Sequence, residues 1–425
     1  MKILLINFSD VGGGAAMAAI RLVTTLNEKG IYARLGVPEK KSSNPYVFEL
    51  PQKHSSYIYK KFRKLNTFIY KGFYPIISRI PNPFSFKTTN RIAHTTNFKS
   101  KTDVKWINNS EFDLVNLHWI NGVICNKDIA KISKPIVWTM HDSWPCCGAE
   151  HHPNIMENDT RWKDGYYRNN KPKTTRGIDL CRKVWKQKRK YLSKMNITFI
   201  TPSNWEHDIL KSSALFRNCE CAIIPNIIDN SIFYQKDSAS IKKLFNIPDN
   251  KIILGFGAAY DIDNPNSMKG SYYLIESLSK LKNPEKYFII IFGPSSNSFT
   301  SKISIPFFAS GYISNPNILS CLYSVCDCFI NPSLIENLPT TSLESIFCST
   351  PVVCFDVGGS SDIIVHKETG WLATPYNTDE IVKGIEWCIQ NKTDLSKKCV
   401  EKAVKDFYKD DIISKTISLY KGLTN

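Results

Sequence analysis

The sequence predicts an α/β protein made of two doubly wound, Rossmann-like domains that face a central cleft. Three observations carry this reading. At 425 residues the chain is too long for one ordinary hydrophobic core. Short apolar runs without alternation, such as KILLINF and YFIIIFGP, recur between helical patterns. Strands of a parallel sheet, covered by helices on both faces, read this way. The strand–helix alternation then starts afresh near Lys251, after a segment at about 230–250 that reads as a hinge. The expected layout is residues 1–230, residues 231–405, and a C-terminal helix over 406–425 packing back toward the first domain. In such sheets ligands bind at the strands' carboxyl ends, here across the cleft.

In the first half, KILLINF is a strand, SDVGGG a tight glycine loop and AAMAAIRLVTTLNEKG a helix. Ala15, Ala16, Ala18 and Ala19 permit close packing on the strand. Ile20, Val23 and Leu26 form the expected inner stripe, and Gly30 is the stop. YARLGVP is the next strand. Residues 51–105 break the pattern: lysines and arginines from Lys53 to Lys105 face a single acid, Asp103, with Tyr57, Phe62, Phe68 and Tyr74 among the interleaved aromatics. This is either a solvated helical insertion or a basic, aromatic patch for an anionic bilayer or lipid phosphate. DLVNLHW and KPIVWTMHD are strands ending near His118 and His141. A polar, loop-like stretch runs from Ser143 to about Thr175, then a basic helix, DLCRKVWKQKRKYLSKM, then the strands in ITFITPSNW and CAIIPNIID.

In the second half KIILGFGAA, YFIIIFGP, FFASGYI, CDCFINPS, PVVCFDVGG and GWLATP are strands, with helices such as GSYYLIESLSKL and ILSCLYSV between them. Composition is that of a globular protein, 42% apolar and 22% charged. The formal charge of +17 favours anionic partners. The 13 cysteines include no CxxC pair, and Cys326, Cys328 and Cys354 sit in apolar runs as small hydrophobes. This suits a reducing compartment. MKILLINFSD is too short for a signal peptide, and no run approaches the ~18 apolar residues of a spanning helix. A cytoplasmic protein is expected.

The stretch NPSLIENLPTTSLESIFCSTPVV concentrates the chemistry. Pro339 suits a first helical position, and Leu343, Ile346 and Phe347 give the helix a buried face. The unsatisfied N–H groups of its first turn, with the Thr340 and Thr341 hydroxyls, make an anion site. A diphosphate there would leave Glu336 before it and Glu344 behind it to accept hydrogen bonds from sugar hydroxyls. Glu344 alone could equally be an acid placed early in a helix for the dipole.

This stretch, continued through CFDVGGSSDII, resembles the donor site of the retaining GT-B glycosyltransferases of family 4: P-S-x-x-E, L-P, a second Glu at the E-x7-E spacing, a small-residue turn and a GG loop. GGGAAMAAIRL, IVWTMHDSWP, TPSNW, IPNIIDNSIF and MKGSYYLIESL resemble the family's other segments, so the likeness spans most of the chain. NLHWING with WTMHDSWP resembles its bacterial polysaccharide-assembly branch. The resemblance implies a GT-B fold and a set of roles. Glu344 would bind the donor ribose, and Glu336 the donor sugar near the transferred carbon. Leu338, Thr340, Thr341 and the helix N-terminus would hold the diphosphate, and Lys269 would neutralise it as it leaves. The base would lie near Gly311–Ile313, and Gly12, Gly13 and Gly14 would admit phosphate or acceptor. His141 would sit beside the donor sugar, with Asp142 orienting it and His118 lining the acceptor side. Retention of configuration is likewise implied. The implied partners are a nucleotide-sugar donor, a polyprenyl-diphosphate-linked oligosaccharide acceptor and the anionic cytoplasmic face of the inner membrane, with no nucleic acid, no cofactor and no metal.

Two features depart from the pattern. ENLPTT replaces the commoner EGFGLP style, so the donor cannot be read from it. In WPCCGAEHH, the spacing of Cys146, Cys147, His151 and His152 is not that of a zinc site, and an acceptor-binding loop is expected. Two other classes compete. VGGGAA permits a dinucleotide-dependent oxidoreductase, but Met17 stands where the last glycine or alanine of the fingerprint would be. A non-catalytic basic binding protein would not need Glu336, Glu344, Lys269 and His141 together.

Overall fold

A computed structural model describes residues 1–53, 87–88, 91–258 and 260–424. Most of the basic insertion, 54–86 and 89–90, lies outside the described residues. The first domain is built on β1 (Lys2–Ile6), β2 (Tyr32–Val37), β3 (Val47–Glu49), β5 (Leu114–Leu117), β6 (Ile136–Thr139), β8 (Ile197–Thr201) and β9 (Cys221–Ile223), with β4 (Lys87–Thr88) and β7 (Thr175–Arg176) forming a small antiparallel pair. The large sheet is parallel, in the order β3-β2-β1-β5-β6-β8-β9. The three-residue edge strand β3 gives no apolar run and escapes a reading of the sequence.

The second domain carries β10 (Ile252–Gly257), β11 (Tyr287–Phe292), β12 (Phe307–Gly311), β13 (Cys328–Asn331), β14 (Val352–Phe355) and β15 (Gly370–Ala373), again parallel, in the order β12-β11-β10-β13-β14-β15. Every residue of β5, β6, β8, β13 and β14 is buried, which is why these runs do not alternate. In each sheet the strand order reverses once, between β1 and β5 and between β10 and β13. The loops leaving these strands open into a crevice.

The first helix, Gly14–Glu28, lays Ala16, Ala19, Val23 and Leu26 on the sheet. Ile20, expected on that stripe, is only half-buried. Helical periodicity puts it at the rim of the face defined by the other four. One apolar cluster runs from Ile3 and Val23 through Ile228 and Phe233 to Tyr323 and Leu343, so the two sheets share packed interior. The helix Lys409–Thr424 lies on the first domain. Its buried Tyr420 phenol accepts a hydrogen bond from Asn116 in β5, and Lys409 reaches Glu28 at 3.0 Å. Among the described residues no helix is long and apolar enough to cross a membrane.

The polar loop expected from Ser143 is instead buried through His151. Its organiser is Lys188, from the basic helix Leu180–Tyr191. The side chain is fully buried, and its Nζ donates to the carbonyls of Trp144, Cys147 (3.0 Å) and Gly148 (2.8 Å) while lying 3.4 Å from the Trp144 ring centroid. Burial pulls the Lys188 ammonium down to about 7, yet three carbonyls match the three N–H groups of its charged form. Lys188→Met would leave three buried carbonyls without their donor. We expect a loss of about 2–4 kcal/mol in urea unfolding, and a loss below about 0.5 kcal/mol would rule out this role.

Candidate active site

The crevice of the second domain is shaped by backbone approaches that exclude side chains. Gly270 (φ 74°) follows Lys269, and a Cβ there would lie 1.8 Å from the Pro332 carbonyl oxygen. Gly358 (φ 59°) would place a Cβ 1.7 Å from the carbonyl oxygen of Glu336, and Gly359 N–H donates to that oxygen at 2.9 Å. The loop carrying Glu336 is therefore held from two sides, and Lys269 Nζ donates to Glu336 Oε1 at 2.6 Å. Burial works to lower the Lys269 ammonium, but Glu336 holds it above its ordinary value.

Pro339 (φ −67°, ψ 105°) is the N-cap of helix Thr340–Phe347, one position earlier than expected. Its ψ is extended, so Thr340 is the first helical residue. Leu338 is buried, and Thr340 and Thr341 are half-buried at the helix entrance, where the first-turn N–H groups have no intrahelical acceptor. Glu344 lies one turn in and is buried. Arg21 Nη2 donates to its Oε1 at 2.6 Å and the Tyr323 hydroxyl to its Oε2 at 3.1 Å. Arg21, from the first helix, is a residue that sequence reasoning missed. It lies in a helix read only for its alanines, its apolar stripe and its glycine stop.

Across the crevice stand the loops of the first sheet. A side chain at Gly12 or Gly14 would meet nothing within 4 Å, and one at Gly13 would come 3.7 Å from Tyr260 of the second domain. Ile313, following β12, is half-buried against the apolar core. His118 and His141 are stacked, ring centroids 5.0 Å apart, and His118 Nδ1 and His141 Nε2 share a hydrogen bond of 2.8 Å. Burial pushes His118 well below its ordinary pKa and His141 down to about 4, with Asp142 opposing the latter. Both rings are neutral near pH 7, so one donates and the other accepts.

Asp142 does not orient His141. Its carboxylate accepts from Trp119 Nε1 (2.8 Å), from the Trp144 backbone (3.0 Å) and pairs with His151 Nδ1 (2.5 Å). Burial acts to raise this carboxyl, but His151 beside it holds it down at about 2. The next residue, His152, is near enough to Asp142, Glu336 and Lys269 to feel their charges, and burial holds it at about 4. It thus joins the site from the first-domain loop after β6, a role its tandem position after His151 did not reveal. Cys146 and Cys147 turn instead into the core with Trp138 and Trp144, and burial pushes both thiols up. Among the described residues these two cysteines and His151 and His152 do not form a metal-binding group.

Asn337 closes the crevice. Its Nδ2 donates to the Met140 carbonyl at 2.8 Å and its Oδ1 accepts from Ser203 Oγ at 2.8 Å. Asp362 accepts from the Asn204 backbone (2.6 Å) and side chain (3.1 Å) beside it. The site thus brings Lys269, Glu336, Leu338, Thr340, Thr341 and Glu344 together on one wall and places Gly12, Gly13, Gly14, His118 and His141 on first-domain loops.

Two Rossmann-like parallel sheets meeting at their carboxyl ends, with a helix N-terminus and a cation at the switch point, define a GT-B fold. Residues 241–406 match the family model of glycosyl transferases group 1. An uncharacterized glycosyltransferase of Methanocaldococcus jannaschii is 32% identical over 111 residues, covering 25% of this chain and 28% of that protein. The putative teichuronic acid biosynthesis glycosyltransferase TuaC of Bacillus subtilis is 32% identical over 117 residues, 28% of this chain and 29% of TuaC. The matched part thus spans less than a third of these relatives. Among solved structures, Anabaena HepE in complex with UDP and glucose superposes with a TM-score of 0.66 at 16% identity over 100% of both chains. Sucrose-phosphate synthase of Thermosynechococcus elongatus also gives 0.66, at 15% identity, over 100% of this chain and 99% of its own.

Removing Arg21 would leave Glu344 buried with one neutral donor. Arg21→Ala is expected to cost about 3–5 kcal/mol in denaturant unfolding, and Arg21→Ala/Glu344→Gln to recover much of it. An equal loss in single and double variants would exclude the pairing. Protonation gives a second test. His141 and His152 are held near 4, below the ~6.5 of an unfolded histidine. Between those values the unfolded chain binds more protons, so stability falls as pH drops from about 6.5 toward 4. His141→Asn should flatten that slope, and an unchanged slope would contradict the burial of this ring.

Proposed function

We propose that the protein is a retaining glycosyltransferase. It would move a sugar from a nucleotide-diphosphate donor to a growing bacterial surface glycan carried on a polyprenyl-diphosphate lipid. The observation that carries the reading is the Lys269–Glu336 pair, 2.6 Å apart at the second sheet's switch point, with the Thr340 helix entrance following Glu336 in the same loop. The match of residues 241–406 to the glycosyl transferases group 1 model, and the UDP and glucose held by HepE, support it.

In this reading the donor diphosphate lies at the helix entrance against the N–H groups and hydroxyls of Thr340 and Thr341, with Leu338 beneath it. Lys269 faces the same oxygens, where negative charge grows as the sugar leaves. Glu336 accepts hydrogen bonds from the sugar's hydroxyls. Glu344 has about four lone-pair directions, of which Arg21 and Tyr323 take two, so two remain for ribose hydroxyls. The base sits by Gly311–Ile313, where Gly311 opens onto free space. Gly12, Gly13 and Gly14 leave room for phosphate or acceptor on the opposite wall.

His141 is neutral and bonded to His118, so it offers a dipole to the donor sugar rather than a charge. Glu336 is already ion-paired, which suits hydroxyl binding better than attack on the anomeric carbon. Retention then follows from acceptor entry on the face the diphosphate leaves, with a diphosphate oxygen taking the acceptor proton. The chemistry draws on these residues alone, with no metal or cofactor assigned a step. Lys183, Lys186, Arg189, Lys190 and Lys194 are exposed, and none is ion-paired among the described residues. They form the basic face that would meet an anionic membrane at its cytoplasmic side.

A thermal-shift panel of UDP-, GDP- and dTDP-sugars tests the reading, since a ligand of the native state raises the melting temperature. One nucleotide class should stabilise the wild type. Glu344→Ala and Lys269→Ala should weaken that donor at least about tenfold, a loss of ~1.4 kcal/mol. His141→Ala should lower kcat by about a hundredfold with donor affinity kept. Wild-type behaviour in all three variants would overturn the assignment.

A further inference from the structure

Around the cleft loop three potential metal ligands of different chemistry converge. The segment around His94 runs antiparallel to that around Glu150: Thr95 N–H donates to the Ala149 carbonyl at 2.8 Å and His151 N–H to the Ala93 carbonyl at 3.0 Å. Cys181 enters from the start of helix Leu180–Tyr191, whose N-cap is Asp179. It lies so close to the loop that a Cβ on Gly148 would fall 2.7 Å from the Cys181 Cβ. One ligand atom from each of His94, Glu150 and Cys181 lies within 4.8 Å of the other two.

We infer that His94, Glu150 and Cys181 bind a divalent transition-metal ion of the zinc class, which fastens the cleft loop to the basic helix. Imidazole, carboxylate and thiolate are the donor set that zinc accepts. Zn–N and Zn–S bonds of about 2.0 and 2.3 Å require ligand atoms about 3.5 Å apart, so closure asks for a contraction of at most about 1.3 Å.

The surroundings fit a metal's outer shell. His94 Nδ1 lies 2.6 Å from the Ile92 carbonyl, which fixes Nδ1 as the protonated nitrogen and makes Nε2 the ligand. Arg161 Nη2 donates to Glu150 Oε1 at 3.0 Å and the Tyr166 hydroxyl to Oε2 at 3.3 Å, which orient the carboxylate and leave lone pairs on it. The charges close as well. A dication is matched by Glu150 and the Cys181 thiolate, while Arg161 is matched by Asp159 at 2.7 Å and faces Asp179 at 3.7 Å. Without metal, burial first and the neighbouring Glu150 carboxylate second keep the Cys181 thiol protonated. Binding forms the metal–sulfur bond and releases that one proton to solvent.

The consequence for the cleft is positional. Glu150, His151 and His152 are consecutive: the first would hold the metal, the second holds Asp142, and the third faces Glu336 and Lys269. The ion therefore acts on the site through the loop and takes no part in group transfer.

The test uses the full chain, stripped with chelator and titrated with cobalt(II), whose thiolate complexes give an intense near-ultraviolet charge-transfer band. One equivalent should develop the band, and zinc should erase it. Cys181→Ser should abolish the band, while Cys147→Ser keeps it. His94→Gln, which retains the thiol, should weaken cobalt binding at least about tenfold. No band in the wild type, a band that survives Cys181→Ser, or an unchanged titration midpoint in His94→Gln would each overturn the proposal. These readouts do not depend on whether the chain transfers sugar.

Discussion

Two carboxylates of the crevice, each paired with a cation from a distant piece of chain, govern this site. Glu344 is buried inside a helix whose neighbours are apolar, and it survives there because Arg21 reaches it from another domain. Glu336 is held by Lys269 in the same manner, from the loop after a different strand. An ionised carboxylate left alone in such a place costs several kcal/mol, so each pair ties two distant pieces of chain into one arrangement. The glycines at 270 and 358 serve the same end, since only backbone without a Cβ can come close enough to set the partners at 2.6 Å.

The fold was legible because its evidence is local and repeated. Uninterrupted apolar runs gave all the major strands of the second sheet and most of the first, and the restart near Lys251 gave the two-domain layout. The three-residue β3 was not legible, because its position comes from pairing with β2 rather than from any pattern of its own. The Ser143–His151 segment was misread for a related reason. Its residues look polar and turn-like, and what buries them is a single lysine more than thirty-five residues away. A long basic helix gives no sign which of its cations turns inward.

The candidate site was legible in part. Glu336, Pro339 and Glu344 stand out along one loop and helix, but their roles, like that of Lys269, came only through the family resemblance. Arg21, Asn337 and His152 do not, since each matters only through what it meets across the cleft. Asp142 shows the reverse error. Adjacency to His141 suggested that it orients that ring, but consecutive residues at a strand end point different ways, and its carboxylate faces Trp119 and His151.

Asn337 is directly bonded to Glu336 in sequence and to the first domain in space. Its amide is saturated only while Met140 and Ser203 are within reach, so separation of the domains would force that side chain to turn to water. Any such turn acts on the peptide unit it shares with Glu336. The placing of Glu336 and the gap between the domains are thus one degree of freedom. The loop works as a latch that reports, at the Glu336 carboxylate, whether the far wall has arrived.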